Sequence, residues 1–104
     1  MRNDDKRFIT EVLMPRFDIK RLLISHSNSA KKWPDIWIEM GGIPIITVTR
    51  EWAKQNTHER RKRLVHEFLH LTGLDHGKID GLDYNTEPRK DTYSRVIYDL
   101  IRGQ

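Results

Sequence analysis

The chain has 104 residues, no cysteine, 33% charged residues and a formal net charge of +4, with a pI near 9.6. That length holds one hydrophobic core and no more, and the lack of cysteine excludes disulfide stapling and thiolate metal ligands and suits a reducing compartment. No N-terminal apolar stretch resembles a signal peptide and no segment approaches a membrane span, so the expectation is a cytoplasmic protein with no membrane partner.

Phe8, Ile9, Val12 and Leu13 recur at helical spacing over residues 4–14, and Pro15 ends that run. Residues 17–25, with Phe17, Ile19 and the cluster Leu22-Leu23-Ile24, read as a first strand, a helix being the alternative. Ser25-His26-Ser27-Asn28-Ser29 has the composition of a loop. Ile36 to Met40 and Pro44 to Thr49 read as two further strands, joined through Gly41-Gly42 as a hairpin. A short helical turn is expected from Glu51 to Lys54. Asn56 or Thr57 then caps a helix that runs to about Thr72, with Glu59 placed where a carboxylate suits the dipole. Leu64, Val65, Phe68, Leu69 and Leu71 supply its buried face. After a Gly/Asp-containing loop, Pro88 opens a last helix with an apolar stripe of Tyr93, Val96, Ile97, Leu100 and Ile101. No repeat, low-complexity tract or linker interrupts this order, so residues 1–104 are read as a single α+β domain.

The chemistry concentrates in His66-Glu67-Phe68-Leu69-His70-Leu71-Thr72-Gly73-Leu74-Asp75-His76, which has the form H-E-x-x-H-x-x-G-x-x-H. Histidines four apart on a helix share one face, so His66 and His70 can reach a single cation. Gly73 can take the left-handed conformation that stops the helix, letting the chain turn back and present His76 as a third nitrogen. Three protein ligands and an open position describe a catalytic zinc site, and Glu67 stands beside it as the candidate general base. Zinc activates a water as nucleophile, so neither cysteine nor serine is needed. His26 and His58, outside this run, read as surface histidines.

Several other groups carry more than one reading. Arg60-Arg61-Lys62-Arg63 is a phosphate-binding patch or a solvated helix face; at a helix N-terminus its charge is unfavourable and calls for a carboxylate nearby. Trp33, Trp37 and Trp52 line a substrate groove or pack in the core, the latter favoured for Trp37 and Trp52. Asp75, Asp80, Asp83 and Glu87 solvate a loop, orient a histidine or, for the last three, replace His76 as ligand. Tyr84 and Tyr93 are candidates to stabilise an oxyanion.

The strand Ile45 to Thr49 leading into His66-Glu67-x-x-His70 resembles the zincin metallopeptidases, and the chain's size with His76 narrows the resemblance to the minigluzincins, which match the catalytic domains of HtpX and CAAX-protease-type peptidases. This resemblance implies a minimal zincin-like fold: a small twisted sheet of about three strands on an active-site helix, with N- and C-terminal helices. It implies Zn²⁺ held by His66, His70 and His76, Glu67 as the base, and hydrolysis of peptide or unfolded protein, with the substrate pairing along Ile45–Thr49. It also implies that residues 85–104 form an inhibitory segment, acting within one chain or through a helix swap in a homodimer, the alternative being that the last helix is ordinary core. Metzincins share the spacing but need a methionine after the third ligand, and Met1, Met14 and Met40 all precede it. The YbeY-type endoribonucleases share the ending His70-Leu71-Thr72-Gly73-Leu74-Asp75-His76 but usually carry glycine where this chain has Glu67. With the basic pI, a zinc-dependent ribonuclease is the alternative expectation, and nucleic acid the alternative partner.

Overall fold

The computed structural model describes residues 1–38 and 41–71. His76, Asp75, Asp80, Asp83, Glu87, Tyr84, Tyr93, the expected helix after Pro88 and the segment 85–104 lie outside the described residues.

The chain begins in α1 (Asn3–Arg7), passes without a break through a π-helical stretch (Phe8–Leu13), and closes in α2 (Met14–Arg16). Pro15 therefore sits inside the last turn instead of ending the helix before it. The reason is local: a proline ring collides with the carbonyl four residues back and offers no N–H. The wider π turns immediately upstream, ending in a bond from the Met14 N–H to the Ile9 carbonyl, relieve that collision.

Three strands follow: β1 (Leu23–Ser27), β2 (Asp35–Ile38) and β3 (Pro44–Thr49). They pair in the order β1-β3-β2, giving a small mixed sheet. Here β3 runs parallel to β1, with Ile24 opposite Ile46 and Ser27 opposite Thr49. It runs antiparallel to β2, with Ile36 opposite Ile46 and Ile38 opposite Pro44. Gly41 and Gly42, at φ of 104° and 81°, turn the hairpin between β2 and β3 in a conformation that other residues rarely adopt. Two expectations are corrected. Ser25, His26 and Ser27 are strand, not loop, while Phe17 to Leu22 precede the strand; pairing along β3 overrides their weak strand propensity. And Ile45–Thr49 has partners on both sides, so it cannot accept a substrate strand; among the described residues, the edges of the sheet belong to β1 and β2.

A short α3 (Arg50–Ala53) leads to α4 (Thr57–His70). Asn56 caps α4 by accepting the Glu59 N–H at 2.8 Å, and Thr49 caps α3 by accepting the Trp52 N–H at 3.0 Å. The core lies between the inner sheet face and the helices: Ile46 and Val48 of β3 meet Phe8, Ile9 and Leu13 of the N-terminal helical stretch, Trp52 of α3, and Leu64, Val65, Phe68 and Leu69 of α4. The fold is α+β, a helix-backed mixed sheet.

The basic run at the start of α4 is not a solvated face. Arg60 is 2% exposed and binds Asp5 of α1 through Nε at 3.2 and 3.1 Å. It also donates to the Gln55 carbonyl at 2.6 Å. The Arg61 guanidinium lies 4.8 Å from the Phe8 ring centroid, and Lys62 and Arg63 both reach Glu59. The carboxylates that this crowded positive charge requires are thus Asp5, from a distant helix, and Glu59, one turn away.

Candidate metal centre

The site is built on the second half of α4. Helical periodicity sets Glu59, Arg63, His66 and His70 on one stripe, while Leu64, Val65, Phe68 and Leu69 anchor the neighbouring stripe in the core. That anchoring fixes where the stripe points. His66 is 4% exposed and Glu67 9%; His70, a turn further on, is half-buried.

Nε2 of His66 and Nε2 of His70 stand 3.2 Å apart, with ring centroids at 4.9 Å. Two nitrogens bound at 2.0–2.1 Å to one tetrahedral zinc are separated by about 3.3 Å. The pair is therefore already at chelating distance, and a cation there takes the place of one shared proton. One donor atom from each of His66, Glu67 and His70 falls within 4.8 Å of the others, so these three side chains could hold a metal ion. The donor set, two imidazoles and a carboxylate without sulfur, suits a borderline cation such as zinc.

Burial pushes the Glu67 carboxyl from its ordinary 4.5 up to about 7; the negative charge of Asp35 adds to the rise and the Ile36 backbone N–H opposes it. A carboxylate with that affinity for protons is matched to taking and returning one near neutral pH. The Ile36 N–H points at Glu67 instead of into the sheet, so the outer edge of β2 faces the centre.

No family model, curated protein or solved structure matches this chain.

The sequence motif thus locates His66, Glu67 and His70 together, as its spacing required. His26 and His58 are exposed, as expected of surface histidines. Of the tryptophans, Trp52 is fully buried and donates its Nε1–H to the Arg60 carbonyl at 3.2 Å, whereas Trp33 is 39% exposed and stands edge-on to His66, centroids 4.8 Å apart. Asp35 and the Ile36 N–H are site groups that the sequence reading missed. Nothing local marks them: only the order of strands brings the start of β2 beside α4. Among the described residues, no helix is long and apolar enough to cross a membrane.

Proposed function

We propose that this protein is a zinc-dependent endopeptidase of the minimal zincin kind that it resembles, with His66, His70 and His76 as ligands and Glu67 as general base. The observation that carries this reading is the pair of imidazole nitrogens at 3.2 Å beside the buried carboxylate of Glu67. A bound zinc supplies a Lewis acid that polarises the peptide carbonyl and acidifies water. Glu67 takes a proton from the attacking water as its oxygen joins the carbonyl carbon. Glu67 then returns that proton to the amine nitrogen as the C–N bond breaks. An extended substrate pairs with β2, whose outer edge adjoins Glu67. Residues 85–104 serve as an inhibitory segment, in the same chain or swapped between two copies. Removing the residues after Asn85 is expected to raise the cleavage rate; a truncated protein that stays folded and zinc-loaded yet cleaves no faster refutes that inhibition.

The alternative substrate of the same centre is RNA, as in the YbeY-type enzymes. The basic run of α4 gives it little support, since those side chains are engaged by Asp5, Glu59 and Phe8. The deciding experiment incubates metal-loaded protein with casein and with RNA in parallel, with and without a chelator. Chelator-sensitive cleavage of casein alone is expected, and Glu67→Gln should keep the metal while lowering turnover by roughly 10²–10⁴. Cleavage of RNA alone, or unchanged turnover in Glu67→Gln, overturns the proposal.

A further inference from the structure

His66 meets two rings. His70 lies at 4.9 Å and 74° between planes, and Trp33 at 4.8 Å and 64°. Trp33 comes from the segment before β2, where its neighbour Pro34 is buried and anchors the backbone. The Arg63 guanidinium covers the Trp33 ring at 4.6 Å. Arg63 is itself tied twice: its Nη1 donates to the Lys32 carbonyl at 2.7 Å and its Nε faces Glu59 at 3.6 Å. Glu59 is fixed in turn by the Asn56 cap and by Lys62 at 3.2 Å. Arg63 and His66 are three apart on α4, so Trp33 wedges between consecutive turns of one helix stripe.

From this arrangement we infer that Trp33, clamped by Arg63, is a positioning residue that sets the ring plane of His66 for metal binding. The inference rests on the metal-centre reading and goes beyond it. An imidazole free to rotate must lose that freedom when it binds a cation; one already packed against Trp33 and His70 has lost part of it on folding. Partners that orient a ligating histidine are worth roughly 10- to 100-fold in metal affinity. The usual partner is a hydrogen-bond acceptor; the Trp33 ring, with the Arg63 guanidinium over it, adds a packing contact to the same end.

The test is zinc affinity, measured on the full chain by competition with a chromophoric chelator, with circular dichroism of each metal-free variant as a check on folding. Trp33→Ala is expected to weaken zinc binding 10- to 100-fold, Trp33→Leu to weaken it with no change of fold, and Trp33→Phe, which keeps an aromatic edge, to restore most of it. A folded Ala or Leu variant that binds zinc as the parent does overturns the inference, as does failure of Phe to restore affinity. His66→Ala is the control for the centre itself. If that variant also binds zinc undiminished, the ligand assignment falls and the role of Trp33 with it; if it loses zinc while the Trp33 variants do not, only the positioning role falls.

Discussion

Asp5 is a residue outside the candidate metal centre whose loss this fold should tolerate poorly. Its carboxylate meets Arg60 Nε at 3.2 and 3.1 Å, with the two side chains only 2% and 3% exposed. Asp5→Ala leaves a guanidinium in the interior with neutral partners alone, the Gln55 carbonyl and the Thr57 hydroxyl. Removing one member of a buried ion pair costs about 3–5 kcal/mol, against a total of roughly 5–15 kcal/mol for a domain of this size. An unfolding entropy of about 2.1 cal/mol/K per residue over 104 residues converts that loss into a fall in Tm of roughly 14–23 °C. The assay is thermal unfolding followed by far-UV circular dichroism, in chelator, so that metal binding does not mask the change. The double variant Asp5→Leu/Arg60→Met removes both charges and should recover most of the loss, because an apolar pair of similar volume often replaces a buried ion pair at little cost. A fall in Tm under about 4 °C for Asp5→Ala, corresponding to less than about 1 kcal/mol, would show that Arg60 reaches water and refute the reasoning.

Three further outcomes are expected. His66→Ala or His70→Ala should strip zinc from the purified protein and His76→Ala should weaken its binding; equal, sub-stoichiometric zinc by elemental analysis in parent and variants would dismiss the ligand set. In metal-free protein Glu67 titrates at about 7 instead of 4.5, so the folded state holds a proton the unfolded state has already lost. The contribution of Glu67 to stability should therefore be full below about pH 4.5 and be lost as pH rises through 7, by up to about 3 kcal/mol. Glu67→Gln should flatten this slope in denaturant titrations, and a parent profile already flat over that window speaks against the buried carboxylate. Asn56→Ala should destabilise by about 1 kcal/mol through loss of the α4 cap, with Asn56→Asp close to the parent in chemical denaturation; equal loss in both variants counts against capping.

The legible parts of this chain are those whose cause is local. Asn56 and the apolar stripe of α4 declare the helix, and the four-residue spacing of His66 and His70 then dictates their meeting. Gly41-Gly42 between two β-branched runs declares the hairpin. What escaped depends on partners far along the chain. Ser25-His26-Ser27 is strand because β3 lies alongside, and β3 is central, not an edge, because β1 returns to its other side. Arg60 reads as one of four solvated cations until Asp5, 55 positions away, is set against it. The usable signal was the electrostatic conflict of four cations at a helix N-terminus, which demanded an acid without saying which. The π turns before Pro15 have no sequence signature beyond the proline that they accommodate.

Both imidazoles hang from one helix, four residues apart, so their spacing exists once a single turn of α4 has wound, before the sheet or the N-terminal helix docks. Starting an isolated helix is disfavoured by a factor on the order of 10³, and a cation bridging His66 and His70 offsets that barrier in the otherwise unfolded chain. A metal held by this pair would bind the denatured ensemble as well as the native one, which would reduce its net contribution to equilibrium stability. Its larger effect would fall on kinetics: with α4 seeded by the metal, refolding should accelerate with zinc more than the melting temperature rises.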